Sequence, residues 1–474
     1  EALYFQHDMR CGMSMDLSSA IAERALMHSE NSYHIQNIEI IANLYKTNTP
    51  SNTAFRGFGG PQGMLGMERV IDEIAHFLKI DPLLVRKRNF YKDHQNLNMR
   101  EQQTPYGQTV KDCIINDLVN RLEKTSDYKN RREKIDDFNK ISKSIKRGIA
   151  LTPVKFGISF NNTILNQAGA LVNVYSDGSV YLNHGGTEMG QGLFTKVRKV
   201  VANTLGVDTG DVKISATDTT KVPNTSATAA SSGTDLNGMA AYLASKNIKD
   251  RMAEHLCELF QCKVSDIEFS AGKIIIFGEE KMTFSQAAEE CWKGRVSLSS
   301  TGFYKTPDIY WDAEKRKGRP FYYFVYGAAV SEIVLDTFTG ESRVVAVDIL
   351  HDVGRSINPA IDKGQIEGGF VQGLGWLSME ELVYADNGTL MTHSPATYKI
   401  PACSDVPMKL NISFYEGQGN LEETINRSKA VGEPPFMLAM SVFFAYSHAL
   451  MNTQSKYPNL DSPATAERLF FAQT

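Results

Sequence analysis

Residues 168–205 read AGALVNVYSDGSVYLNHGGTEMGQGLFTKVRKVVANTL, and this stretch decides the fold. Apolar and polar residues alternate on both sides of Asp177 and Gly178, a pair typical of a tight turn, which predicts a hairpin of two strands. A glycine-rich loop at residues 185–192 follows the second strand, and a helix follows the loop. The sequence therefore predicts the order strand, turn, strand, glycine-rich loop and helix.

A similar order recurs later in the chain. Residues 330–350 predict two strands around a turn at residues 337–340, and the glycine-rich segment 364–375 and another helix come next. The recurrence suggests two related halves within a lobe that spans residues 148–474. Strands interspersed with helices in this way predict an α+β class with mixed sheets, because a regular βαβ series would alternate more strictly.

The first lobe is assigned to residues 1–147. It contains one clear amphipathic helix, because apolar residues recur at helical spacing. These residues are Met67, Val70, Ile71, Ile74, Ala75 and Leu78. Residues 110–147 are highly charged and predict solvated helices that carry no chemistry. Residues 1–6 read EALYFQ, which resembles a protease-tag remnant and equally a native strand, and we expect the chain to begin within a larger protein.

The composition is that of an ordinary globular protein, with 474 residues of which 42% are hydrophobic and 22% charged. A net charge of −4 argues against a nucleic-acid surface and against a polybasic membrane patch. Residues 435–451 are apolar but short and interrupted by polar side chains, so they predict a buried helix rather than a membrane span. We expect neither nucleic acid nor membrane among the partners.

Six cysteines occur, and none forms a CxxC pair. They are Cys11, Cys113, Cys257, Cys262, Cys291 and Cys403. The spacing of Cys257 and Cys262 alone is weak evidence for a metal site. Reduced thiols in a cytoplasmic chain are the better interpretation, and we expect no iron–sulfur ligation within this chain.

Five runs of small residues each lead into an apolar helix. They are residues 55–62 (FRGFGGPQ), 185–192 (GGTEMGQG), 228–233 (TAASSG), 364–375 (GQIEGGFVQGLG) and 431–435 (VGEPP). The first turn of a helix leaves backbone N–H groups unpaired, and small residues let a ligand approach them closely. Five such termini would cradle a large anionic ligand if they converged, whereas each taken singly is equally an ordinary turn before a capped helix.

The segment VGEPP contains the most specific candidate for a catalytic residue. Glu433 precedes Pro434 and Pro435, which suit the start of a helix because that position needs no N–H donor. A carboxylate there lies near the positive end of the helix dipole, which favours its ionised form. Glu433 is therefore a candidate general base, and an ordinary acidic residue of a first helical turn is the alternative.

Five strings occur in one order along the chain: FRGFGGPQ, NQAGALV, GGTEMGQG, GQIEG and SKAVGEPP. In this set and order the chain resembles the molybdenum-binding portion of the xanthine dehydrogenase and aldehyde oxidase family, and within it the bacterial-type xanthine dehydrogenases. The resemblance runs from about residue 15 to the end of the chain. It implies a two-lobed molybdopterin-binding domain, with residues 1–147 as the C-terminal part of the first molybdopterin-binding lobe and 148–474 as the second.

The same resemblance implies a set of contacts to molybdopterin, with molybdenum held near Gln191 and Glu433 but ligated directly by no side chain. Arg56 would contribute through its backbone. The residues that would contact the cofactor are Gly190, Gln191, Arg56, Thr228, Ala229, Ala230, Ser231 and Gln365.

For the substrate, the resemblance implies that Phe58 and Phe160 sandwich a flat heterocycle, although either phenylalanine alone could equally be a core residue. Arg24, in the string ERALMH, would hold a purine oxygen and stabilise negative charge developing on it. An exposed helical arginine is the alternative. Asn161 follows Phe160 at a position where purine oxidisers of the family typically carry threonine, a departure that bears on substrate positioning.

Taken together, the resemblance implies hydroxylation of hypoxanthine or xanthine with oxygen from water, with Glu433 as general base. Electrons would leave through [2Fe–2S] clusters and FAD to NAD, on partner chains of a hetero-oligomer. The family's upstream glycine-rich loop and second active-site glutamate would also come from another chain or a further N-terminal part. Two alternatives are an aldehyde or other N-heterocycle oxidoreductase on the same scaffold, and a non-catalytic assembly subunit.

Overall fold

Strands and helices are interspersed along the chain, which confirms the predicted α+β class. The computed structural model describes residues 2–92, 102–219, 224–454 and 456–473. The strands are β1 (Leu3–Gly12), β2 (Ile38–Lys46), β3 (Ile145–Ile158), β4 (Gln167–Val174), β5 (Val180–His184), β6 (Val212–Ile214), β7 (Ile267–Ser270), β8 (Lys273–Ile276), β9 (Glu279–Thr283), β10 (Ser299–Lys305), β11 (Tyr310–Asp312), β12 (Lys317–Arg319), β13 (Tyr323–Asp336), β14 (Ser342–His351) and β15 (Lys409–Phe414). The helices are α1 (Ser18–His28), α2 (Gly60–Leu78), α3 (Pro82–Asn89), α4 (Ile115–Thr125), α5 (Tyr128–Ile141), α6 (Leu193–Leu205), α7 (Gly233–Phe260), α8 (Phe284–Lys293), α9 (Pro359–Ser378), α10 (Pro434–Met437), α11 (Met440–Leu450) and α12 (Ala466–Phe471).

A sheet in the order β3–β13–β14–β15 lies at the centre of the structure. β3 and β13 pair antiparallel over their whole length, from Ile158 opposite Tyr323 to Ile145 opposite Asp336. Alternate residues of β3 enter two different cores, one shared with α11 and the other with α4. A strand covered on both faces needs apolar residues at nearly every position, and both long strands have them.

The first predicted hairpin is confirmed. β4 and β5 pair antiparallel, and Gly178 in the turn between them has φ +84°, a conformation that glycine adopts without strain. The hairpin belongs to a second sheet, in the order β10–β4–β5–β6, which shares a core with α6 and α7. The chain leaves β5 through the glycine-rich loop and α6, and returns as β6 parallel to β5.

The second predicted hairpin, β13 with β14, is also confirmed, and the chain returns through α9 to β15, which is parallel to β14. Both sheets therefore contain a hairpin, a helix and a parallel strand in the same order. That the two halves are related stays a prediction. The boundary assigned between residues 147 and 148 falls within β3, so the chain crosses it as a continuous strand, and the division into lobes also stays a prediction.

The predicted amphipathic helix is α2, which begins at Gly60, earlier than the apolar pattern suggested. Pro61 occupies its first turn, where the missing N–H costs nothing. Gly63 lets α2 lie directly against α1, because a Cβ at that position would come within 2.5 Å of the Ala25 carbonyl oxygen. This close approach brings α1 beside the loop at residues 55–62.

The charged stretch at residues 110–147 forms α4 and α5, and the charged side chains of α5 are exposed or half-buried, as predicted for a solvated helix, but one of them also ties α5 to the central sheet. Arg131 of α5 forms ion pairs with Glu332 at 3.1 Å and with Asp348 at 2.7 Å, both on the central sheet. The charges therefore dock the helix on β13 and β14, because opposite charges on two elements fix their relative position.

Residues 435–451 form α10 and α11, whose residues are buried, as predicted. Within the described ranges no helix is long and apolar enough to cross a membrane. The cysteines are free thiols, and the Cys262 thiol donates a hydrogen bond to Cys257 Sγ at 3.6 Å without forming a disulfide.

The buried charge of Arg86 gives a stability prediction. Its Nε donates to Glu68 at 2.7 Å and its Nη2 to Asp72 at 3.4 Å, and all three side chains are almost fully buried. We expect Arg86→Leu to lower the free energy of unfolding by about 3–5 kcal/mol, because it leaves buried carboxylates without their cation. Arg121→Leu is the matched control, since its ion pair with Asp117 is half exposed and should matter by less than about 1 kcal/mol. Urea unfolding measures both variants, and equal losses would contradict the prediction.

Candidate active site

The carboxylate of Glu433 lies where three segments of the chain meet. Its Oε1 accepts the backbone N–H of Gly57 at 3.2 Å, and its Oε2 accepts the hydroxyl of Ser231 at 3.0 Å. The same hydroxyl oxygen accepts the backbone N–H of Glu433 at 2.8 Å. The side chain is 13% exposed, so the carboxylate is held in one orientation while part of it stays accessible.

The structure adds the contacts that orient the Glu433 side chain to the helix-start position predicted from the sequence. The sequence placed Glu433 at the start of a helix whose dipole would favour its ionised form. α10 covers only four residues, and the Glu433 side chain caps none of its N–H groups. Leu438 and Ala439 keep right-handed helical backbone angles up to α11, so Glu433 lies at a helix start as predicted, and the effect of the dipole stays a prediction, while the side chain is oriented by its tertiary contacts.

Arg24, on α1, is the charged partner of this carboxylate, with Nη2 at 3.9 Å from Glu433 Oε2. The side chain is almost fully buried, so the alternative of an exposed helical arginine is wrong. Nη1 donates to the Ser159 carbonyl at 2.8 Å and to Asn161 Oδ1 at 3.1 Å, and Nη2 donates to the Gly157 carbonyl at 2.7 Å. Nε has no hydrogen-bond partner among the described residues.

Aromatic rings complete the surroundings of the guanidinium group. Its Cζ lies 4.7 Å from the ring centre of Phe156 and 5.2 Å from that of Phe321. Burial lowers the pKa of Arg24, and the nearby charge of Glu433 opposes that shift. The site therefore holds a cation in a largely dry wall beside a carboxylate, an arrangement in which electrostatic interactions are stronger than in water.

The glycine-rich loops converge on this pair. Thr187 donates its backbone N–H to Thr228 Oγ1 at 2.8 Å, which joins the loops at residues 185–192 and 228–233. The Arg56 side chain donates to the Gly432 carbonyl at 2.6 Å and to Gln372 Oε1 at 3.1 Å, which joins loop 55–62 to VGEPP and to α9. With the contacts of the carboxylate, these bonds link all five runs of small residues that the sequence singled out. The prediction that each run precedes a helix is wrong for residues 364–375, which lie inside α9, where Gly373 allows close packing against Phe436.

Three non-glycine residues of these loops have left-handed backbone conformations. φ is 51° at Phe58, 55° at Ala230 and 57° at Ser231. Such conformations cost of order 1 kcal/mol each and persist where the surrounding structure holds them. At Ser231 the conformation is paired with two hydrogen bonds to Glu433, so the strained backbone coincides with the site.

The loop at residues 185–192 contains a residue that the sequence argument missed. Glu188 Oε1 accepts the N–H groups of Gly190 at 2.9 Å and Gly192 at 3.0 Å, and Oε2 accepts that of Phe194 at 2.9 Å. The backbone N–H groups at the start of α6, which the sequence predicted as donors to a ligand, are therefore already paired with a carboxylate of the chain itself. Its position just before a helix was the available signal.

Gln191 folds back on the same loop, where its Oε1 accepts the Met189 N–H at 2.5 Å and its Nε2 donates to the Thr187 carbonyl at 2.8 Å. Gly190 is the open point of the loop, because a Cβ added there would meet no atom within 4 Å. A ligand can therefore approach the backbone at Gly190 closely.

The structure does not show the predicted sandwich of Phe58 and Phe160 as a pair of facing rings. Phe58 and Phe160 are half-buried on separate segments, and neither ring pairs with another ring of the described chain. The backbone of Phe160 is fixed by Asn166, which accepts its N–H at 2.8 Å and donates to its carbonyl at 3.1 Å. The roles of the two rings stay predictions. Asn161, in contrast, accepts a hydrogen bond from Arg24 and so lies beside the pair of Arg24 and Glu433.

α9 reaches the cluster through a residue other than the one predicted. Gln365 is half-buried on α9 and has no hydrogen bond to the loops around Glu433, whereas Gln372 accepts from Arg56. Arg56 itself contacts these groups through its side chain, and its expected backbone role stays a prediction.

Ala229 lies in the turn before α7, where its carbonyl accepts the Ser232 N–H at 3.3 Å.

The convergent loops fit a large polar ligand held by hydrogen bonds. In the part of the chain that the structure describes, no group of three or more His, Cys, Asp or Glu side chains could hold a metal ion. The unpaired Nε–H of Arg24 suits a ligand with hydrogen-bond acceptors, and the open space at Gly190 lets such a ligand lie against the backbone. A pterin-type group has such acceptors, and its own atoms would ligate the metal.

Comparison with known proteins bears on this arrangement. The molybdopterin cofactor-binding domain family matches residues 1–90 and 121–407. Xanthine dehydrogenase 1 of Arabidopsis thaliana is 43% identical over 474 residues, which cover 97% of this chain and 33% of that protein. Xanthine dehydrogenase/oxidase of Gallus gallus is 45% identical over 463 residues, covering 97% and 32%. The chain thus spans about a third of the length of the curated relatives it matches.

The fold is also shared with solved structures. Quinoline 2-oxidoreductase from Pseudomonas putida 86 superposes with a TM-score of 0.85 and 22% identity, covering 99% of this chain and 59% of that one. At this identity the likeness concerns the fold alone.

His184, at the end of β5, gives a pH prediction. Its Nδ1 accepts the Gly186 N–H at 3.0 Å, and burial lowers its pKa to about 4, against the opposing charge of Glu188. Above about pH 6.5 the imidazole is neutral in both folded and unfolded states. As the pH falls from 6.5 towards 4, only the unfolded state takes up the proton, so stability is lost, by roughly 3 kcal/mol in full.

We therefore expect the thermal midpoint of His184→Leu to depend less steeply on pH than that of the wild type between pH 6.5 and 4.5. The exposed His393 provides the control variant His393→Leu, which should keep the wild-type slope. Parallel curves for the wild type and His184→Leu would refute the assignment.

Proposed function

This chain belongs to the xanthine dehydrogenase and aldehyde oxidase family, as part of its molybdopterin-binding region, and from that premise we propose that it oxidises hypoxanthine or xanthine. The observation that carries the proposal is the buried pair of Arg24 and Glu433, 3.9 Å apart at the meeting point of the glycine-rich loops. A carboxylate can take the proton of the water-derived oxygen as that oxygen is transferred, and a cation beside it can stabilise the negative charge that develops on the substrate.

Molybdopterin, when bound, supplies the two-electron oxidation and the oxygen transfer. The convergent loops support this, because they bring small residues and backbone groups together beside Glu433 and Arg24. The residues that would hold the cofactor are Gly190, Gln191, Arg56, Thr228, Ala229, Ala230, Ser231 and Gln365.

Glu433 is the general base in this proposal. Gly57 and Ser231 each donate one hydrogen bond to it, one to each carboxylate oxygen. Each oxygen of an ionised carboxylate has two lone pairs, so both keep capacity to accept a proton while the group stays oriented. The base is therefore positioned before substrate arrives, which lowers the entropic cost of proton transfer.

Arg24 stabilises the charge that develops on the substrate. Of its five N–H donors, three are used by Gly157, Ser159 and Asn161. The remaining two are the Nε–H and the second Nη2–H, and Nη2 is the atom closest to Glu433. A purine oxygen beside this nitrogen would receive a charge-assisted hydrogen bond.

The whole enzyme would need further parts. We propose that [2Fe–2S] clusters and FAD on partner chains pass the electrons to NAD, and that the assembly is a hetero-oligomer. The chain spans only about a third of its curated relatives, which leaves room for such modules. The free cysteine thiols support a reducing, cytoplasmic location.

An aldehyde or other N-heterocycle oxidoreductase is the second candidate, because quinoline 2-oxidoreductase has the same fold. Asn161 favours it, since this side chain replaces the threonine typical of purine oxidisers and binds Arg24 directly. The alternative of a non-catalytic assembly subunit is disfavoured by the oriented carboxylate, and molybdenum content of the purified protein tests it.

We expect the purified assembly to reduce an acceptor dye with hypoxanthine and xanthine, and only slowly with quinoline or an aromatic aldehyde. Arg24 accounts for the preference, because hypoxanthine and xanthine carry an oxygen on the ring, away from the attacked carbon, that gains negative charge, whereas quinoline has no oxygen and the aldehyde oxygen is on the attacked carbon itself. Steady-state kinetics with the four compounds measures it. Turnover with the aldehyde or quinoline alone would move the chain to the second candidate function.

We expect Glu433→Gln to lower kcat by about 100-fold to 10,000-fold, because the amide cannot take up a proton. Molybdenum content should stay at the wild-type level, since the amide keeps the size of the side chain. Glu341→Gln, at an exposed turn, is the control for a carboxylate without a role. Activity of Glu433→Gln close to that of the control would end the assignment.

A further inference from the structure

The segment that carries Glu433 is fixed by a buried tyrosine from the central sheet. The hydroxyl oxygen of Tyr323, on β13, accepts the backbone N–H of Ala430 at 3.1 Å. The same hydroxyl donates its proton to Asp235 Oδ2 at 2.6 Å. Ala430 lies three residues before Glu433 in the string SKAVGEPP, so this bond acts on the backbone that leads directly to the carboxylate.

Both side chains of this pair are buried. Tyr323 is 3% exposed and Asp235 is 8% exposed. Burial raises the pKa of Asp235 to about 7, while the hydrogen bond from Tyr323 and the charge of Lys196 oppose the shift. Burial and the adjacent carboxylate raise the pKa of Tyr323 well above its usual value, so the phenol keeps its proton. With so little exposure, solvent cannot readily replace the pair as the partner of the Ala430 N–H.

Asp235 also belongs to the segment that touches Glu433 directly. It lies in the first turn of α7, four residues after Ser231, whose hydroxyl bonds to both the backbone and the carboxylate of Glu433. The start of α7 therefore holds the segment at two points, once at Glu433 and once through Tyr323 at Ala430. Two points of attachment fix the direction of a chain segment, whereas one leaves it free to pivot.

We infer that Tyr323, held by Asp235, is a positioning residue that sets the orientation of the Glu433 carboxylate through the Ala430 backbone. The inference rests on the proposed function in one respect, because Glu433 is taken as the general base. Removing the Tyr323 hydroxyl leaves the Ala430 N–H and the Asp235 carboxylate without their partner. The segment then moves, and a small displacement of a base lowers the rate of proton transfer more than it lowers substrate binding.

The chain offers a closely matched control. Tyr326 lies on the same strand and is fully buried, and its hydroxyl has no hydrogen-bond partner among the described residues. Tyr323→Phe and Tyr326→Phe thus remove the same atom from two buried positions of β13, and only the first loses a contact to the Glu433 segment. Asp235→Asn keeps an acceptor for the Tyr323 hydroxyl, whereas Asp235→Leu does not.

The test uses the complete purified assembly, normalised to molybdenum content, with xanthine as substrate. We expect Tyr323→Phe and Asp235→Leu to lower kcat by about 10-fold to 100-fold, with KM within about twofold of the wild type. Tyr326→Phe should keep the wild-type kcat, and Asp235→Asn should lose much less than Asp235→Leu. Hydrogen exchange of peptides that cover residues 428–436 should be faster in Tyr323→Phe than in Tyr326→Phe.

Two results would overturn the inference: a wild-type kcat for Tyr323→Phe, or equal loss in both phenylalanine variants. Unchanged exchange of residues 428–436 in Tyr323→Phe would also overturn it, even with a lower kcat. If the wild type fails to oxidise xanthine, the proposed function fails, and the exchange comparison alone then decides whether Tyr323 fixes the segment.

Discussion

The architecture of the site depends on the need to satisfy one largely buried carboxylate. A carboxylate removed from water requires hydrogen bonds or a cation, since its desolvation would otherwise be costly. Glu433 meets this need with a backbone N–H from Gly57, a hydroxyl from Ser231 and the guanidinium of Arg24. These groups come from distant parts of the chain, so satisfying the charge also brings the glycine-rich loops together.

The central sheet provides the rigid support for that arrangement. The end of β3 and the loop after it supply the carbonyls of Gly157 and Ser159 and the amide of Asn161 that hold Arg24. β13 supplies Tyr323 to the segment that carries Glu433. These strands pair over their full length and are buried on both faces, so they have little freedom to move. The partners of Arg24 and of the segment that carries Glu433 are therefore held on a rigid part of the molecule. The loop at residues 185–192, in contrast, is stabilised by hydrogen bonds within the loop, such as those that Glu188 accepts.

Much of the local structure followed from pattern alone. The hairpin around Gly178 and the core face of α2 at Met67 and Ile71 follow from strand alternation, turn chemistry and helical periodicity. The docking of α5 did not, because a charged helix looks the same in sequence whether its partners are water or acidic residues of a sheet. The two prolines correctly predict a helix start at Glu433, but the sequence did not show that Gly57 and Ser231 orient its carboxylate. Gln365 and Gln372 lie on the same face of α9, about two turns apart, and only the packing of the helix decides that Gln372 is the one beside Arg56.

The sequence by itself determined the order of most elements, the positions of the runs of small residues that meet at the site and, through its ordered motifs, the family. These features depend on residues a few positions apart, which interact in any conformation of the chain. Only the tertiary structure decided that the loops converge, that Arg24 is buried beside Glu433, and that Ser231 and Gly57 orient the carboxylate. Those contacts join residues 202 and 376 positions apart, and such distant groups meet only when the packing of both sheets and their helices has fixed the relative position of every loop.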